Sequence, residues 1–149
     1  MKPMLALAAA LLALSACAST EMKAPVSQSA TSPQATTVAH AIQGRETARG
    51  SFVGASDHAT TGHASVFRSN GKWYISLAND FTFDGAPDPK IAFGSNGFRQ
   101  DAILAPLQAN AGASVYEVPA TLDVGDYNEI WLWCEKFSVP LGIAKLTLT

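Results

Sequence analysis

Ala64-Ser65-Val66-Phe67-Arg68, then Ser69-Asn70-Gly71, then Lys72-Trp73-Tyr74-Ile75-Ser76-Leu77 is the stretch whose reading decides the fold. Apolar and polar side chains alternate on both sides of the turn, the period of a strand with one face buried. Asn-Gly between two such runs supplies the positive φ angles of a tight hairpin turn. Working outward, further strands are expected near Gly50 to Val53, Ile91 to Phe93, Ser114 to Val118, Glu129 to Cys134 and Ala144 to Leu148. Clusters of Gly, Pro, Asn and Asp separate them. Gln100 to Leu107 fits a strand or one helical turn, and its periodicity leaves both open. No long amphipathic helix is present. The expected fold class is all-β, a single β-sandwich-like domain or an open barrel.

Composition sets the domain plan. The first 51 residues contain no aromatic side chain, and all thirteen lie between Phe52 and Phe137. Leu5 to Leu14 is an uncharged apolar run after Lys2, too short for a permanent membrane span and of the length of a signal-peptide core. It ends at Leu14-Ser15-Ala16-Cys17, which resembles a lipobox. Residues 1–16 are therefore expected to be a lipoprotein signal peptide, with Cys17 as the lipidated first residue of the mature chain. Each buried CH₂ of the acyl chains contributes about 0.8 kcal/mol to anchoring. By analogy with lipoprotein sorting, Ala18-Ser19 without an Asp suggests an outer-membrane protein facing the periplasm. The Ser-, Thr-, Ala-, Gln- and Pro-rich stretch to residue 44 has too little apolar surface to order itself and reads as a tether. The folded unit is placed at residues 45–149.

Removal of Lys2 would leave nine Lys and Arg against twelve Asp and Glu, scattered singly with no basic stripe. That excludes nucleic acid as a partner, because phosphate binding needs clustered cations. The expected partners are the membrane, through Cys17, and a redox or other protein of the cell envelope. Cys17 and Cys134 are the only cysteines. With the first taken by lipid, the second is an unpaired thiol in an oxidising compartment, and no internal disulfide is possible.

The chemically suggestive residues gather in Trp131-Leu132-Trp133-Cys134-Glu135-Lys136-Phe137-Ser138-Val139-Pro140-Leu141-Gly142. On a strand, Ile130, Leu132 and Cys134 share one face and Trp131 and Trp133 the other. Both faces are apolar, so one reading makes Cys134 a small core hydrophobe. Asp57, His58 and His63 sit in a Gly-, Ser- and Thr-rich loop and converge only if it turns. Asp80, Asp84 and Asp88 recur every four residues but lack a calcium-loop pattern. Nucleophile elbow, phosphate loop, dinucleotide fingerprint and zinc spacing are all missing.

The order of short stretches resembles the DM13 domain family. They are Gly50-Ser51-Phe52, His58-Ala59-Thr60-Thr61-Gly62, Asn79 through Pro89, Tyr116-Glu117-Val118-Pro119 and Trp133 through Gly142. The resemblance implies a small extracytoplasmic β-sandwich-like module with a proposed electron-transfer role. The family's motif cysteine falls on Cys134, as a bare thiol or a haem ligand, and its His-x-x-x-Gly motif on His58 and Gly62. A haem reading would use Cys134 as thiolate ligand, Trp131, Trp133 and Phe137 as an apolar wall, and His58 or His63 opposite. Covalent attachment is excluded because no Cys-x-x-Cys-His occurs. A bare thiol would cycle through sulfenic acid or a mixed disulfide. The competing reading is a non-enzymatic envelope binding module with Cys134 in the core. Either way, an electron-transfer or binding module is expected rather than a catalyst.

Overall fold

A computed structural model describes residues 44–149. The stretches read above as signal peptide, lipidated Cys17 and tether lie, apart from Gly44, outside the described residues. The hairpin that opened the sequence reading is present as β3 (His63–Ser69) and β4 (Lys72–Leu77), paired antiparallel from Ala64↔Leu77 to Ser69↔Lys72. Asn70 and Gly71 have φ angles of 48° and 80° at the turn. Both left-handed positions are what a hairpin turn matched to strand twist requires.

The remaining long strands are β1 (Arg45–Gly54), β6 (Pro89–Gly94), β7 (Phe98–Pro106), β8 (Ser114–Glu117), β9 (Glu129–Cys134) and β10 (Val139–Lys145). Short pieces are β2 (Thr60–Thr61), β5 (Thr82–Phe83) and β11 (Thr147–Leu148). Eight strands run in the order β7-β6-β9-β10-β1-β3-β4-β8, while β11 pairs with the first half of β1. The two ends of this path meet through a side chain. Gln108, just past β7, receives its backbone contact from β8: its N–H donates to Tyr116 Oη at 3.0 Å, and its Nε2 to the Val115 carbonyl at 3.0 Å. The fold is thus all-β and a nearly closed barrel, the second of the two architectures expected.

Gln100 to Leu107, left open by periodicity, is strand over most of its length. Its pairing with β6 settles what the local pattern could not. The strand expected at Ala144 to Leu148 is instead two strands broken at Leu146, whose N–H turns away to the Asn128 carbonyl. Phe52, Val66, Ile75, Leu77, Phe81, Ile91, Phe93, Ile130, Leu132, Leu141 and Ala144 fill the interior. Every buried side-chain N or O among the described residues has a hydrogen-bond partner, as interiors require.

One end of the barrel collects the stretches of interest. β1 and β10 meet at Gly54↔Gly142, and Cys134, the last residue of β9, lies between Pro89 and Val139. The β2–β5 ribbon lies at this end too, because the Ala55 N–H donates to the Leu141 carbonyl and the Phe52 N–H to that of Gly62. β1 leads from the opposite end, where Arg45 pairs with Arg68 beside the Asn70-Gly71 turn.

Candidate functional site

Cys134 is wholly buried, at 0 % exposure, on the inner face of β9 with Ile130 and Leu132. Its Sγ–H donates to the Pro87 carbonyl at 3.0 Å. That carbonyl belongs to the segment Asp84-Gly85-Ala86-Pro87-Asp88, which crosses the barrel end above the sulfur and packs Ala86 against the core.

Both ends of this segment are fastened. At the first, Asp84 Oδ1 accepts from His58 Nδ1 at 2.9 Å, Asp84 Oδ2 accepts from the Ala59 N–H at 2.9 Å, and the Asp84 N–H donates to the Ala59 carbonyl. The Ala59 amide, and after it the His58 ring, hold the Asp84 carboxyl below its ordinary range. At the second, Lys90 Nζ stands 2.6 Å from Asp88 and 3.3 Å from Glu135, and the Glu135 N–H donates to the Asp88 carbonyl. Asp88 chiefly, and Glu135 with it, raise the Lys90 pKa against the lowering effect of burial. Lys90 is the more buried partner, its side chain 15 % exposed.

Thr60 fastens the loop after β1 to β10. Its hydroxyl donates to the Leu141 carbonyl at 2.8 Å. The β9–β10 register slips between Pro140 and Gly142, leaving Leu141 as a bulged residue. A bulge re-aims the local backbone, and here the freed carbonyl serves both Thr60 and Ala55.

Of the other residues singled out from sequence, His58 belongs to the Asp84 fastening and the rest fall elsewhere. Trp131 and Trp133 are on the outer face of β9, where Trp133 stacks on Phe98 at 3.8 Å between centroids. Trp131 Nε1 donates to Glu129 Oε2, which also accepts from the Gly97 N–H. Phe137 is 61 % exposed in the β9–β10 turn, with Lys136 over its ring. His58 is in the loop after β1, tilted against Phe83. His63 pairs with Asp80, whose carboxyl is held low by the His63 backbone N–H and then its ring. The two histidines therefore do not converge; each is taken by its own aspartate. Asp80, Asp84 and Asp88 likewise go to three different partners. Among the described residues no group of three or more His, Cys, Asp and Glu is arranged to hold a metal ion.

A haem on Cys134 needs an open sulfur and a flat apolar wall beside it. The described residues do not fit that demand: the sulfur is covered by the Pro87 carbonyl, both tryptophans are across the strand from it, and Phe137 points to solvent. What sequence reasoning missed is the covering segment. Asp84-Gly85-Ala86-Pro87-Asp88-Pro89 reads locally as a rigid turn, and only the pairing of β6 with its neighbour β9 brings it over Cys134.

The geometry defines a class: a small antiparallel barrel with one buried thiol at the end where its loops converge. The sequence model of the family described as Electron transfer DM13 matches residues 51–146. The chain belongs to the DM13 family, and the family's description is consistent with a redox role. Neither the curated proteins nor the solved structures yielded a significant match.

Proposed function

We propose that this protein is a lipid-anchored electron-transfer module of the cell envelope, held at the outer membrane through Cys17 and working through the thiol of Cys134. One observation carries the redox reading. Three motif stretches far apart in sequence, His58 to Gly62, Asn79 to Pro89 and Trp133 to Gly142, close on one sulfur through the His58–Asp84, Thr60–Leu141 and Cys134–Pro87 bonds. The family description supports the same reading. Anchoring rests on Leu14-Ser15-Ala16-Cys17 and on the apolar run before it.

Cys134 is the sole cysteine of the described residues. With Cys17 taken by lipid on this reading, oxidation to an internal disulfide is not open to it, which leaves sulfenic acid or a bond to an external thiol. With peroxide, the sulfur gains one oxygen as the O–O bond breaks and water leaves. Two equivalents of an external thiol then restore Cys134, release water and end as a disulfide. The enclosing core slows further oxidation, since each step needs a fresh oxidant at the sulfur.

A second reading has its own observation: a fully buried sulfur with its hydrogen bond satisfied is the ordinary state of a core cysteine, as in a binding module. The full chain carrying Cys17→Ser, with Cys134 its only thiol, distinguishes the two. Peroxide should abolish the free-thiol count of the folded protein, and dithiothreitol should restore it. A count that falls only after unfolding in urea would favour the binding module.

A further inference from the structure

We propose that residues 84–88 are a latched cover over Cys134, and that His58 is the positioning residue that holds it shut through Asp84. The cover itself follows from geometry; that it guards a working thiol rests on the redox reading above.

Apart from the Cys134–Pro87 bond and the packing of Ala86, the segment is fastened at its ends. Asp84 makes three hydrogen bonds with residues 58 and 59, accepting two and donating one, and Asp88 is fixed by Lys90 and by the Glu135 N–H. Between these points, the Pro87 carbonyl lies directly over the sulfur. Two left-handed residues bracket Ala86-Pro87, Gly85 at φ 100° and Asp88 at φ 57°. Such positions concentrate a change of chain direction in a few torsions.

The fastenings are of a kind that can be released without unpacking the barrel. The His58 and Asp84 side chains are 28 % and 42 % exposed and those of Asp88 and Glu135 44 % and 46 %, while Lys90 between the last two is 15 % exposed, so the His58 end is the more readily released. Water replaces exposed hydrogen bonds at small net cost. The eight-stranded wall, by contrast, depends on none of them. Local opening of this kind draws on the least stable contacts of a fold. His58 is the key member because its ring makes the bond between two side chains that ties the segment to the loop after β1, beside the backbone contacts of Ala59, and it also packs on Phe83.

The test is the rate at which iodoacetamide alkylates Cys134 in the folded full chain carrying Cys17→Ser, at one pH and at increasing sub-denaturing urea. His58→Leu keeps an apolar contact with Phe83 and removes the bond to Asp84; it should label at least tenfold faster than the parent. His58→Asn, which retains a donor near the Nδ1 position, should return most of the way to the parental rate. Lys90→Met, at the other fastening, should also accelerate labelling, and it serves if His58→Leu does not fold. In the faster variants the rate should be nearly independent of urea, the mark of local rather than global opening. Equal rates in all variants, or rates that rise with urea in step with global unfolding, would overturn the latch. Alkylation reads access alone, so the two proposals fail separately. A released cover over a thiol that shows no reversible oxidation would keep the latch and remove the redox reading; reversible oxidation with equal labelling rates would do the reverse.

Discussion

Thr60 and Leu141, 81 positions apart, are joined by a hydroxyl-to-carbonyl hydrogen bond of 2.8 Å that ties the loop after β1 to the bulge of β10. Gly142, the residue after the bulge, has no room for a side chain: a Cβ there would sit 2.7 Å from Thr60 Cβ. Gly142→Ala should therefore destabilise the fold by about 1–3 kcal/mol, the range for overpacking a filled interior. Thr60→Val keeps the shape and removes the bond; about 1 kcal/mol is expected, because Leu141 retains the Ala55 N–H. Urea denaturation followed by tryptophan fluorescence measures both, and equal midpoints for Gly142→Ala and the parent would contradict the packing argument.

Cys134 contributes packing and one hydrogen bond. Cys134→Ala removes both and leaves the Pro87 carbonyl without its donor, so a loss of about 1–2 kcal/mol is expected. Cys134→Ser keeps a donor but puts a hydroxyl among Ile130, Leu132 and Leu141, at a cost of about 1 kcal/mol. Both should remain folded, with melting temperatures lowered by several degrees. Differential scanning calorimetry checks the order.

Acid should loosen the barrel end before the barrel. The Asp80 and Asp84 carboxyls are both held below their ordinary range, each first by a backbone amide and then by a histidine ring. Depressed folded pKa values mean that these bonds contribute fully above the unfolded aspartate value of about 4. The contribution disappears as pH falls through the lower folded values. The urea midpoint should drop below about pH 4, and more gradually in an Asp80→Asn, Asp84→Asn variant, where nothing remains at those positions to protonate. A variant whose midpoint falls as steeply as the parent's would assign the acid sensitivity to other carboxylates.

Membrane attachment should depend on one atom. Cys17→Ser removes the sulfur that would carry the acyl chains, so the protein should move from the membrane to the soluble fraction and lose incorporation of labelled palmitate. Retention in the membrane fraction would show that the apolar run of Leu5 to Leu14 remains as the anchor.

Much of the wall of this barrel was legible because strand signals are local. Asn70-Gly71 carries its turn in its own backbone preference, and the alternation in Ala64 to Leu77 marks the strands on either side. Glu129 to Cys134 matches β9 residue for residue, and its two faces divide as the period of two requires. The β2–β5 ribbon was not legible, since Thr60-Thr61 and Thr82-Phe83 are too short to show a period. The fate of Gln100 to Leu107 likewise waited on its partner strand.

The sequence alone determined that Cys134 and the two tryptophans stand on opposite faces of one strand, that a hairpin turns at Asn70-Gly71, and that the motif stretches follow the DM13 order. Only the tertiary structure decided which of two apolar faces looks inward. With β6 and β10 paired on either side, Ile130, Leu132 and Cys134 fill the interior and the tryptophans lie outside against Phe98. It also decided that His58 meets Asp84 rather than His63, and that Pro87 covers the sulfur. The reason is physical: side-chain period is a property of neighbouring residues, whereas the bonds around Cys134 join residues 26 to 81 positions apart and exist only once the barrel has closed.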